Sequence, residues 1–142
     1  MRVSAKAEYA CIAMLELAAN FAEPQPVRVK SIADAHGIPL RFLVQILLQL
    51  KTAGLVASVR GAAGGYQLAR RPADITLADI IGAIDPEQPA RPTAHGPASA
   101  AKQAIHSVWR DIQAEEQRVL EQLTLAELVR RTQETSALTY QI

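Results

Sequence analysis

The sequence predicts a mainly α-helical chain with one small β-hairpin and a long helix set apart from it. Three observations carry this. Residues 29–71 hold two helical patterns divided by a tight turn, then a β-rich run that folds back over glycine and alanine. Residues 86–101 concentrate four of the chain's eight prolines and break the pattern. Residues 102–123 then resume an amphipathic helical period. The expected organisation is a domain at 1–85, a flexible connector at 86–101 and a helical unit at 102–142.

The chain's 142 residues suit one domain plus an extension, and a hydrophobic fraction of 49% suffices for a core. No apolar run reaches the roughly 18–20 residues of a membrane span. Arg2 and Lys6 are followed by a helix broken by Glu8 and Glu16, which is no signal peptide. The single cysteine excludes an intramolecular disulfide framework and a multi-cysteine zinc site. A cytoplasmic protein is expected.

The first helix is expected over residues 4–21, with Ser4 as N-cap and Ala10, Ala13, Met14, Leu17, Ala18 and Phe21 as its buried stripe. After the loop at 23–26, residues 27–29 can add a small strand. A short helix at about 31–35 ends at Gly37. Pro39 then opens a second helix, where its missing N–H costs nothing, and Gly54 closes it after about residue 53. In that helix Leu43, Ile46, Leu47 and Leu50 form one apolar stripe, while Arg41, Gln45, Leu48 and Thr52 fall on the opposite face. Residues 55–59 read as a strand, 61–65 as a turn and 66–68 as the returning strand. Helix, turn, helix and hairpin together make the winged helix-turn-helix plan, which places a helix in the DNA major groove.

Charge agrees with that plan. The whole chain carries a net +1, but between Arg28 and Arg71 seven basic residues meet one acid, a local +6. From Pro72 onward six basic residues meet ten acids, a local −4. A basic footprint confined to the helix-turn-helix and wing suits a duplex-binding face. Arg41 and Gln45 lie towards the N-terminal end of the second helix, the part that meets base edges, and Arg reads guanine as Gln reads adenine. Periodicity alone leaves open that this is merely a solvated face. Arg60 at the wing can enter a narrow minor groove or sit on a phosphate. A nucleotide-binding loop at 61–65 is disfavoured, because it lacks the Gly-Lys-Ser/Thr ending and a strand follows it.

Beyond the wing, Thr76 and Asp79 resemble a capping box that starts a helix running to about residue 84, with Ile80, Ile81 and Ile84 facing the domain. The helix at 102–123 carries Ile105, Val108, Trp109, Ile112, Val119, Leu120 and Leu123 at spacings of three and four, close to a heptad seam. That stripe is read as a homodimer interface; folding back on its own domain is easier for 105–112 than for Val119 and Leu120. Thr124 and Glu127 form a second capping box, starting a last helix to about residue 131. The tail from Thr132 is expected to fray, although Leu138, Tyr140 and Ile142 could dock.

The string Ser58-Val59-Arg60-Gly61, followed by Gly64-Gly65-Tyr66-Gln67-Leu68-Ala69 at this distance after a helix-turn-helix, resembles the wing of the Rrf-two family of bacterial winged-helix regulators. The likeness extends over nearly the whole chain apart from about residues 86–101. It implies a dimeric, sequence-specific transcription regulator, expected to be a repressor reading a near-palindromic operator. The DNA-binding set so expected is Ser4, Lys6, Tyr9, Arg28, Lys30, Ser31, Arg41, Phe42, Gln45, Lys51, Ser58, Arg60, Gly61 and Tyr66. Ser4, Lys6 and Tyr9 enter it by resemblance, and Tyr9 can equally be a packing aromatic. Arg28 stands where the family usually has Ser or Thr; it cannot cap the next helix but can still meet a phosphate.

Some members of the family hold an iron–sulfur cluster on three cysteines in the connector. By the family's spacing Arg91, Pro97 and Gln103 stand there, with His106 matching a further ligand. Such clusters are held chiefly by thiolates, so no cluster is expected, and His95 and His106 alone make at best a weak metal site. His36 reads as a surface residue. Cys11 could sense oxidants, but its apolar neighbours and Glu8 argue against a reactive thiolate. An unknown small-molecule or protein effector remains open. No catalytic constellation can be assembled, so an enzyme is not expected. The alternative to a DNA reader is a winged-helix module whose basic face meets an acidic protein.

Overall fold

A computed structural model describes residues 1–86 and 95–141, without the side chains of 140 and 141. Six α-helices and one two-stranded antiparallel sheet follow each other among these residues. Helix α1 (Ala5–Ala19) begins where expected, with the Ser4 hydroxyl accepting the Ala7 N–H at 3.0 Å. It ends earlier than expected, at an Asn20 cap. Phe21 therefore leaves the helical register and is 44% exposed, not buried. The stripe that α1 does bury is Ala7, Ala10, Ala13, Met14, Leu17 and Ala18.

Helix α2 (Val29–His36) stops at Gly37, whose φ of +65° is a turn conformation that suits a residue without Cβ. Helix α3 (Leu40–Thr52) starts after Pro39 and buries Leu43, Ile46, Leu47 and Leu50 completely, as its period predicts. Strands β1 (Val56–Val59) and β2 (Gly65–Leu68) pair with Val56 opposite Leu68 and Val59 opposite Gly65. Of residues 27–29, Val27 alone forms a bridge, to Tyr66, and Val29 already begins α2. A single 3-10 turn at Pro72–Asp74 follows the wing. Helix α4 (Leu77–Ile84) then begins with the full Thr76/Asp79 capping box. It buries Ile80 and Ile84, and Ile81 is half-buried.

Helix α5 (Ala100–Gln122) is capped by Ser99, so the connector is two residues shorter than 86–101 implies. The rest of that connector, residues 87–94 with Arg91, lies outside the described residues. Helix α6 (Leu125–Gln141) runs ten residues past the expected stop at 131 and is not frayed from Thr132. Ion pairs of Glu127 with Arg130 and Arg131, and of Arg130 with Glu134, span successive turns of its surface. Leu138 does not dock, being 62% exposed; the Tyr140 side chain and Ile142 fall outside the described residues.

Helix α6 also departs from the expected division at 102. Leu125 is fully buried in the same core as α1, α3 and α4, and its N–H bonds the Ile75 carbonyl at 2.9 Å. Helix α6 thus packs into the core that α1, α3 and α4 build, and α5 packs on α4 while leaving much of its apolar stripe exposed.

Candidate nucleic-acid interface

The core fixes α3 by its buried stripe, so the opposite face is left outward. Arg41, Gln45, Leu48 and Thr52 are all exposed there. Phe42 lies to one side and meets the Tyr9 ring edge-on, with centroids 5.9 Å apart and planes at 87°. That contact ties the first turn of α3 to α1 and gives Tyr9 a packing role.

The wing is clasped to the entry of the helix-turn-helix. Val27 and Tyr66 exchange two backbone hydrogen bonds of 2.8 Å. A Cβ on Gly65 would lie 2.3 Å from the Val27 carbonyl oxygen, so only glycine permits this approach. The Arg28 guanidinium donates to the Ala62 carbonyl at 2.5 Å, holding the wing tip from below. Lys51 donates to Ser58 Oγ at 2.7 Å and ties the end of α3 to β1. No local pattern in the sequence reveals the Arg28–Ala62 link, because those residues are 34 positions apart.

The basic residues therefore divide. Arg28 and Lys51 are tied to the wing, while Arg70 donates to the Asp74 carbonyl and Arg71 pairs with the Asp74 carboxylate at 2.9 Å. Lys30 pairs with Asp34 at 3.1 Å across an exposed turn of α2, a weak constraint. Among the described residues, Arg41 and Arg60 make no hydrogen bond or ion pair. They stand on the outer face of α3 and just after β1, with donors uncommitted.

The remaining expected residues are placed as follows. The Ser4 hydroxyl is occupied by its cap and by donation to Asp85 at 2.5 Å, so it has little left for a phosphate. Lys6 is half-buried on α1. Ser31 and Gly61 are exposed, whereas Tyr66 is half-buried against the core and serves the wing through its backbone. His36 lies 3.5 Å from Glu16 at the surface.

On α5, Ile105, Val108, Trp109, Ile112 and Val119 are about half exposed or more. Leu120 differs from expectation: it turns inward and is 9% exposed, while Leu123 is half-buried. Packing back on the domain, the alternative considered easier for 105–112, is seen instead around Leu120 and Leu123, where α5 meets α4 and the Leu77 N–H donates to the Leu123 carbonyl at 2.9 Å.

The donors present do not fit a cysteine-ligated cluster. Cys11, the chain's one thiol, packs beside the core, and burial followed by Glu8 pushes it up to about 11, away from thiolate. Pro97 and Gln103 offer no thiolate, and no group of three or more His, Cys, Asp or Glu among the described residues is placed to hold a metal ion.

Comparison with known proteins agrees with the winged-helix geometry. Residues 3–131 match the Rrf2 (Rrf-two) family, described as an iron-dependent transcriptional regulator. A Mycobacterium tuberculosis protein named an HTH-type transcriptional regulator is 45% identical over 131 residues, covering 90% of this chain and 81% of that one. The solved structure of CymR, the global cysteine regulator of B. subtilis, superposes with a TM-score of 0.78 at 32% identity, covering 92% of this chain and 98% of that one. The structure of IscR from T. potens gives a TM-score of 0.77 at 38% identity, covering 95% and 90%.

Proposed function

Because the chain belongs to the Rrf2 family of transcriptional regulators, we propose that it acts as a homodimeric, sequence-specific repressor reading a near-palindromic operator through α3 and the β1–β2 wing. The observation that carries this reading is the division of the basic residues. Those that stabilise the wing are paired within the protein, and Arg41 and Arg60 point uncommitted donors outward. A DNA reader needs both, since the wing must be held in place before its arginine meets the duplex.

In this reading Arg41 and Gln45 meet base edges and Arg60 enters the minor groove beside them. Lys30 and Ser31 sit in the first turn of α2, whose N-cap residue Arg28 supplies no side-chain cap, and so present backbone N–H groups and an ammonium to phosphate. The uncovered stripe of α5 meets the same stripe of a second copy, placing two α3 helices on successive major grooves. Regulation does not use a cysteine-held cluster, and a small molecule or a protein supplies the signal. The protein works in the cytoplasm, where its DNA is.

The test is the affinity of the purified protein for the DNA upstream of its own gene, with random DNA as competitor, over a salt series. The reading expects competitor-resistant binding whose logarithm falls steeply with the logarithm of salt. Binding absent even at low salt would overturn it.

A further inference from the structure

The outer face of α3 changes chemistry along its length. Arg41 and Gln45 occupy its first half. Leu48 comes seven residues after Arg41, close to two full turns, and so points nearly the same way. It is 50% exposed, and Val44 on the turn before it is 40% exposed. Thr52, one turn further, spends its hydroxyl on the Leu48 carbonyl at 3.0 Å, which leaves its methyl without polar duty. None of these side chains serves the core, which takes the opposite stripe of α3.

A leucine pressed against phosphates or polar base edges would strip water from them with nothing in return. The major groove offers one apolar group, the C5 methyl of thymine. We infer that Leu48, supported by Val44, is a specificity-determining contact that reads thymine methyls beside the bases met by Arg41 and Gln45. This rests on the proposed reading of the same helix as a DNA reader. It divides the face in two: hydrogen bonds select purines at its N-terminal half, and methyl contacts select thymine at its C-terminal half.

Uracil isolates the methyl, because it keeps thymine's hydrogen-bonding groups and lacks only that carbon. The duplex is first enriched from a random library by the full-length protein. Each thymine of a half-site is then replaced by uracil in turn. The inference expects one or two positions at which uracil weakens the wild-type protein about three- to fivefold, the loss of one buried methyl. Leu48→Ala should bind the thymine duplex as weakly as the wild type binds the uracil duplex, and should no longer tell the two apart. Its melting temperature should be unchanged, since Leu48 is not part of the core. An enriched duplex that tolerates uracil everywhere overturns the thymine contact and leaves the DNA reading standing. A library from which nothing is enriched overturns both.

Discussion

Helices α3 and α5 are both amphipathic, yet they spend their apolar faces differently. In α3 the stripe Leu43, Ile46, Leu47 and Leu50 disappears into the core. In α5 a stripe of similar spacing stays in solvent, with Trp109 54% exposed. The difference lies in what surrounds them. Helix α3 is packed by α1, α2, α4 and β1, whereas the main packing partner of α5 among the described residues is α4. The same periodicity therefore gives a helix whose polar face is held outward for a ligand, and another whose apolar face awaits a partner. We propose that the first meets DNA and the second a copy of itself.

The largest effect is expected from the buried stripe. Leu47→Ala should cost about 2–5 kcal/mol of folding stability, read from urea unfolding with an unchanged slope. A cost under 1 kcal/mol would mean that α3 is not held by its core face. The counterpart on α5 should behave otherwise. Trp109→Ala combined with Ile112→Ala should leave the fold of each copy intact but weaken self-association by about thirtyfold or more, as the loss of a tryptophan anchor does. Sedimentation velocity would register the shift, and an unchanged sedimentation coefficient would remove α5 from the interface.

The outer face of α3 can be sharpened by setting Arg41 against Lys30. Arg41→Ala should relax base preference at one operator position by about 1–3 kcal/mol. Lys30→Ala should weaken all duplexes alike and reduce the salt slope by about one. Competition binding on variant duplexes separates the two, and uniform losses from both would contradict the assigned roles. The smallest effect concerns Cys11. Burial raises its pKa to about 11 from an ordinary 9.0, so the folded thiol stays neutral at physiological pH. Alkylation should be slow near neutrality and accelerate only as pH climbs towards 11, whereas fast labelling at neutral pH would restore it as a redox sensor.

What the sequence disclosed follows from the range of each interaction. The α3 stripe, the stop at Gly37 and the Thr76/Asp79 box are local, set by residues three or four apart, and all were legible. The clasp of Arg28 on Ala62 and the Tyr9–Phe42 contact join residues more than thirty positions apart, which no local pattern encodes. Phe21 departs from the α1 period because it lies two residues beyond the last helical residue, Ala19, and one beyond the Asn20 cap. Helix α6 extends past the expected stop at 131, and the spacing of Glu127, Arg130 and Glu134 at three and four residues is the signal in the sequence for that extension. Leu120 shares the α5 period yet is buried within its own chain, because periodicity identifies an apolar face without saying what covers it.

In the proposed complex the exposed stripe of α5 pairs two copies and brings two α3 helices to one operator. The most direct measurement is a hydroxyl-radical footprint of the operator complex, with its stoichiometry determined by sedimentation equilibrium. Two copies per duplex are expected, with two-fold-related protections centred about one helical turn apart, or 10–10.5 base pairs, or a multiple of that spacing. A single copy protecting one groove would contradict this arrangement.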